Sequence, residues 1–176
     1  MKRIIGAALL ASLAAAAPAA AATDPVNGNQ TASGDVPAAL EATMPTGNVS
    51  LGQLDLGSAG TQSNVQSITV SSNKTWGATI SADRTNMTSH DGENYGSTSL
   101  ASPFQWQRTT QGATPFAAIA TAPTPGNLLS GAGVTGATPA TIGIKFLQVT
   151  SYADTVLSES ESPYRIAINY QVAQGL

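Results

Sequence analysis

Apolar and polar residues alternate with a period of two over several short runs of this chain. Ile68 and Val70 share one face of Gln66–Ser72. Trp76, Ala78 and Ile80 share one face of Trp76–Asp83, and Ser72-Asn73-Lys74 lies between the two runs. Successive side chains of a strand point to opposite faces, so this alternation predicts two half-buried strands. Asn and Ser suit a tight turn, so the pair reads as a hairpin. Ile142, Ile144 and Phe146 repeat the pattern in Thr141–Val149, and Phe104, Trp106 and Arg108 repeat it in Leu100–Arg108, where Pro103 suggests an edge position or a late start. Tyr164, Ile166, Ile168, Tyr170 and Val172 give the longest regular run, read as one closing strand. Leu40, Ala42 and Met44 suggest a first strand, and Val49–Leu54 follows a turn at Pro45–Asn48.

Between these runs lie segments without either period. Gly57–Gly60 reads as a break, Arg84–Ser99 as a long surface loop, Pro123–Gly136 as a Pro/Gly-rich connector and Ser151–Pro163 as a second exposed excursion. After the N-terminal segment no apolar residues recur at helical spacing for a useful length; Pro37–Leu40 could form one turn at most. Seven or eight short strands separated by turn clusters predict an all-β, antiparallel, Ig-like β-sandwich. Trp76, Phe146 and Tyr170 are the expected aromatic core.

The N-terminus changes the picture of where the protein acts. Met1-Lys2-Arg3 is basic, Ile4–Ala16 is apolar, and Ala20-x-Ala22 offers small residues for cleavage. This is the layout of a secretory signal peptide over residues 1–22. The apolar stretch is short for a membrane span, and no second one follows, so no span is expected in the mature chain. Thr23–Asp35 reads as a flexible leader, leaving one domain over 36–176. Secretion or display on the cell surface is the expected location.

Composition narrows the chemistry. The 176-residue chain carries a net charge of −3, and removal of Lys2 and Arg3 makes it more acidic. No basic patch is present, so no nucleic-acid partner is expected. There is no cysteine, which excludes disulfides, a thiolate nucleophile and a cysteine–zinc site. A glycine-rich phosphate loop, a metal-ligating His pair and a dinucleotide fingerprint are all missing, so no cofactor is expected.

The single histidine, His90, sits in Ser89-His90-Asp91-Gly92 within the polar loop, and the G-x-S-x-G elbow is absent. It reads as a solvated loop histidine. Asp91, Glu93 and Asn94, with Asp83 at the loop entry, are the candidate calcium ligands, because calcium takes several oxygens from acidic, glycine-containing loops. Their spacing is not that of an EF-hand. Glu159 and Glu161 read as a solvated pair. Phe104 and Trp106 are the candidate ligand-binding residues, as an aromatic platform for a sugar. The alternative is that they fill the second half of the core, the usual fate of large aromatics.

Leu51-Gly52, Ile68-Thr69-Val70-Ser71-Ser72-Asn73-Lys74-Thr75-Trp76 and Tyr164-Arg165-Ile166-Ala167-Ile168-Asn169-Tyr170 resemble a loose group of bacterial secreted Ig-like sandwich proteins. In that group an L-G segment leads into a V-x-V-x-S-N-x-x-W hairpin, and a Y-x-I-x-I-x-Y strand ends the domain. Ile68 stands in for the first valine. The group shades toward WxL-type cell-surface domains, although Trp76-Gly77-Ala78 replaces the W-x-L tripeptide here. The resemblance implies fold and location, not catalysis. The expected function is a non-enzymatic, structural or adhesive part of the bacterial envelope, with the envelope or a glycan surface as partner. The alternatives are a carbohydrate-binding module and a strand-exchanging filament subunit, the loose leader being one possible donor. The sequence leaves the oligomeric state open.

Overall fold

The computed structural model describes residues 30–157 and 163–176. The signal peptide, most of the leader and the Glu159–Glu161 pair lie outside the described residues. The chain divides into Met1–Asp35 and Val36–Leu176. Of the first unit, residues 30–35 are exposed and carry no strand.

The second unit is an all-β sandwich of antiparallel sheets, with twelve strands among the described residues rather than seven or eight. Its spine is β10 (Ala140–Thr150), the longest strand at 11 residues. β3 (Gln66–Ser72) pairs with the first half of β10, placing Ile68 beside Ile142. β2 (Gly57–Gln62) pairs with the second half, and β7 (Gln105–Arg108) pairs with Ile144–Leu147. β1 (Leu40–Thr43) and β8 (Ala117–Ala118) close the two edges of this six-stranded sheet. A second sheet has β4 (Trp76–Ala82) between β12 (Ile168–Gln174) and β9 (Gly126–Ala132). A third, small sheet contains β5 (Thr88–His90) between β6 (Tyr95–Ser99) and β11 (Tyr164–Arg165).

Period-two burial builds the core. Ile68, Val70, Phe104, Trp106, Ile142, Ile144 and Phe146 come from the first sheet or its flank, and Trp76, Ala78, Ile80, Ala82 and Leu128 come from the second. The rings of Phe104 and Phe146 stack with centroids 5.3 Å apart. Trp76 and Phe146 are buried as expected, but Tyr170 is only partly buried and packs against the rim of the cluster.

Four expectations are corrected. First, β3 and β4 are strands over the expected residues but not a hairpin. β3 pairs with β1 and β10, whereas β4 pairs with β12 and β9. The turn crosses between sheets, so Ile68 and Val70 join the Trp76 face in one core. Alternation fixes which side chains go inward, and a polar turn serves a crossing as well as a hairpin. Asn73 anchors that turn: its side chain accepts from the Ala39 N–H at 2.8 Å and donates to the Pro37 carbonyl at 2.8 Å.

Second, the Arg84–Ser99 segment contains β5 and β6. Their pairing is held by polar contacts such as Thr88 Oγ1 to Ser99 Oγ at 2.8 Å, so they show no apolar alternation. Third, Gly57–Gly60 lies within β2 and Pro123–Gly136 contains β9, while Val49–Leu54 forms no strand. Leu128 is the buried anchor of β9. Fourth, the closing run divides into β11 and β12, which belong to different sheets. Asp83 sits at the division, where its own N–H donates to the Ala167 carbonyl and its Oδ1 accepts from the Ala167 N–H at 3.0 Å.

Candidate functional site

The titratable groups considered for binding or reaction gather around β5 and β6, and Asp83, His90, Asp91 and Tyr95 each have a structural partner. Asp83 Oδ2 accepts from Arg84 Nε at 3.1 Å and forms an ion pair with the same guanidinium. That guanidinium lies 3.1 Å from the centroid of the Tyr95 ring, a cation–π arrangement. Burial, and then the Asp83 carboxylate, push the Tyr95 hydroxyl above its usual range. His90 Nδ1 accepts from the Gly92 N–H at 3.0 Å, and its ring meets Tyr95 edge-on with centroids 4.8 Å apart. Asp91 Oδ1 accepts from the Asn94 and Glu93 N–H groups at 2.6 and 2.9 Å, closing the turn between β5 and β6. Those two backbone donors hold the Asp91 carboxyl below its usual value, because they favour the charged form.

The four candidate calcium ligands therefore do separate work. Asp83 ties Ala167, between β11 and β12, to Arg84, Asp91 caps a turn, and Glu93 and Asn94 are exposed on that turn. Among the described residues, no group of three or more histidine or acidic side chains converges as a metal site.

The aromatic platform is also corrected. Phe104 is 2% exposed and Trp106 9% exposed. Both rings lie in the inter-sheet core, so neither offers a face on which a sugar could stack. Core filling, the alternative for this pair, is what the packing shows.

Shallow grooves occur among the described residues, two of them as follows. One, of about 210 Å³, lies on the outer face of the second sheet, with Thr79, Ser81, Asn169 and Gln171 beneath and Pro123 and Pro125 beside them. It is smaller than the roughly 300–1,000 Å³ usual for small-molecule sites. The other, of about 330 Å³, runs past Glu41, Asn73 and Val134 at the edge of the first sheet.

No family model, curated protein or solved structure matches this chain. The reading of its function therefore rests on its own geometry.

The feature that sequence reasoning missed is the edge formed by β12. It pairs with β4 in one uninterrupted register, from Ile168 opposite Ala82 to Gln174 opposite Trp76. Flanking bonds from Asp83 to Ala167 and from Gly175 to Thr75 fix the parity of this ladder. Asn169, Gln171 and Ala173 thus direct their backbone groups to β4. Ile168, Tyr170, Val172 and Gln174 direct theirs to the opposite side, where no backbone partner occurs among the described residues. The available signal was charge: Ile166–Leu176 contains no charged residue, whereas natural edges commonly carry one.

Tyr170, at the middle of β12, has a buried hydroxyl with no hydrogen-bond partner among the described residues. Burial pushes it up to about 12. A raised phenol stabilises the fold fully below its unfolded value of about 10. That contribution is lost as pH rises toward about 12. Tyr170→Phe should abolish the loss, making the variant more stable than the parent by roughly 2–3 kcal/mol at the alkaline end. At neutral pH it should be at least as stable, since no hydrogen bond is removed. Urea titrations of both proteins from pH 8 to about 12 check this; parallel curves would show that Tyr170 does not titrate with unfolding.

Proposed function

We propose that this chain is a non-enzymatic, secreted or cell-surface β-sandwich that acts by contact, as a structural or adhesive part of a bacterial envelope. The observation that carries the reading is β12: an uncharged strand of seven residues in unshifted register, whose outward backbone groups have no backbone partner among the described residues. The groups that could do chemistry support it from the other side. His90 and Asp91 are acceptors for turn amides, and Asp83 is held by Arg84 and the Ala167 N–H. The signal-peptide pattern at Met1–Ala22 supports that location. Burial of Phe104 and Trp106 takes the aromatic platform from the carbohydrate-module alternative and leaves it only the segment Arg84–Ser99.

The test uses cells that lack the gene. Antibody labelling of intact cells should find the protein at the surface, and deletion should reduce cell–cell or cell–surface attachment. Complementation with His90→Ala should restore both to the parental level. Turnover of a substrate that disappears in His90→Ala, or retention of the chain in the cytoplasm, would overturn the reading.

A further inference from the structure

We propose that two copies of this chain associate through β12, pairing antiparallel across a two-fold axis at Gln171. This rests on the contact reading above and names its partner as a second copy of the chain. The two second sheets would then run on as one, in the order β9-β4-β12 followed by β12-β4-β9 of the second copy.

The competing edges are blunted. β1 is four residues long and carries Glu41, and β8 and β11 are two residues long. β2, β6 and β9 pair with their neighbours across register shifts, which bend a strand away from a straight partner. β9 is further capped by the Arg108 guanidinium, which donates to the Leu128 carbonyl. Among the described residues β12 has none of these devices; only the Gln174 side chain at its end reaches across, donating to the Ala39 carbonyl at 2.8 Å and to Ser72 Oγ at 3.0 Å, which leaves its backbone groups unpaired.

The chemistry of the strand selects a copy of itself. With Gln171 opposite Gln171 of the second copy, Ile168 faces Gln174, Asn169 faces Ala173 and Tyr170 faces Val172. In this register every outward amide and carbonyl of Ile168, Tyr170, Val172 and Gln174 acquires a partner. Tyr170 and Val172, each only partly buried in one copy, form aromatic–β-branched pairs, a favoured cross-strand combination. The two Gln171 side chains, exposed in the single chain, exchange amide hydrogen bonds. No like charges meet, because the strand has none. A two-fold pairing is closed, and the blunted β9 edge offers no second site, so the product is a dimer and not a filament.

The absence of native cysteine makes a direct test possible. Facing Gln171 residues occupy a non-hydrogen-bonded pair, with Cα atoms about 4.5 Å apart, within disulfide range. Full-length Gln171→Cys should form a covalent dimer under mild oxidation at least tenfold faster than Tyr152→Cys, whose site is 92% exposed but off the edge. Sedimentation of the parent should show concentration-dependent dimers. Gln171→Lys should weaken them roughly fivefold by placing like charges opposite each other, and mixing it with Gln171→Glu should restore association. Circular dichroism of each variant confirms that it is folded. A parent that stays monomeric up to millimolar concentration, or equal cross-linking of the two cysteine variants, overturns the proposal. If surface attachment nevertheless persists in cells, the contact role stands and only the identity of the partner is refuted.

Discussion

Replacing Trp76 by Ala should lower the stability of the sandwich by about 3–5 kcal/mol, the range for removing a large aromatic from a packed core. Trp76 is 1% exposed, lies on the central strand of the second sheet and faces the core. Its indole N–H donates to the Gly133 carbonyl at 3.0 Å, so the substitution also leaves that carbonyl without its partner. The loss is large against a typical total of roughly 5–15 kcal/mol. For a domain of this size it corresponds to a fall in melting temperature on the order of 10 °C. The measurement is a urea or thermal melt, with Trp106, the other of two tryptophans, as the fluorescent reporter. A melting temperature within a few degrees of the parent would mean that the inter-sheet core closes without the indole.

The same residue shows how much of the molecule was legible beforehand. Alternation around Trp76, Ile68, Ile142 and Phe146 identifies core side chains because burial acts on each residue through its own strand. Pairing is set by the whole set of strands, so the turn at Ser72–Lys74 could not disclose that it crosses between sheets. Thr88, Ser89 and Ser99 belong to a small sheet whose cohesion is hydrogen bonding, which leaves no hydrophobic period to detect. The candidate sites were less legible still. Asp91 beside a glycine looks alike as a cation ligand and as a turn cap, and the distances to the Glu93 and Asn94 amides separate the two. Phe104 and Trp106 carried both readings in the sequence, and their burial decides between them. The β12 edge depends on what fails to lie beside a strand, which composition could only hint at through missing charge.

Gly60→Ala should be a costly change in the first sheet. Glycine suggested a break at Gly57–Gly60, yet Gly60 lies within β2 with φ of +64°, where its missing side chain is what allows the pairing. An added Cβ would lie 2.7 Å from the Gln148 carbonyl oxygen, 2.8 Å from Leu147 Cδ1 and 3.0 Å from Val149 Cγ2. The first of these is backbone of the β10 spine and cannot rotate aside. The left-handed conformation alone costs an L-residue roughly 1–2 kcal/mol. Gly131→Ala isolates that part, because Gly131 has φ of +63° and nothing within 4 Å of its added Cβ. Gly60→Ala should therefore be more destabilising than Gly131→Ala by a further 1–2 kcal/mol or so, the share due to displacing β2 from β10. The displacement reaches Gln148, whose fully buried side chain donates to the Ser102 carbonyl at 3.1 Å and the Val149 carbonyl at 2.7 Å. Hydrogen exchange should accordingly quicken along Leu147–Thr150 in Gly60→Ala while the β4–β12 ladder keeps its protection. Equal losses in the two alanine variants would show that backbone conformation alone accounts for the glycine, and that β2 tolerates a side chain against the spine.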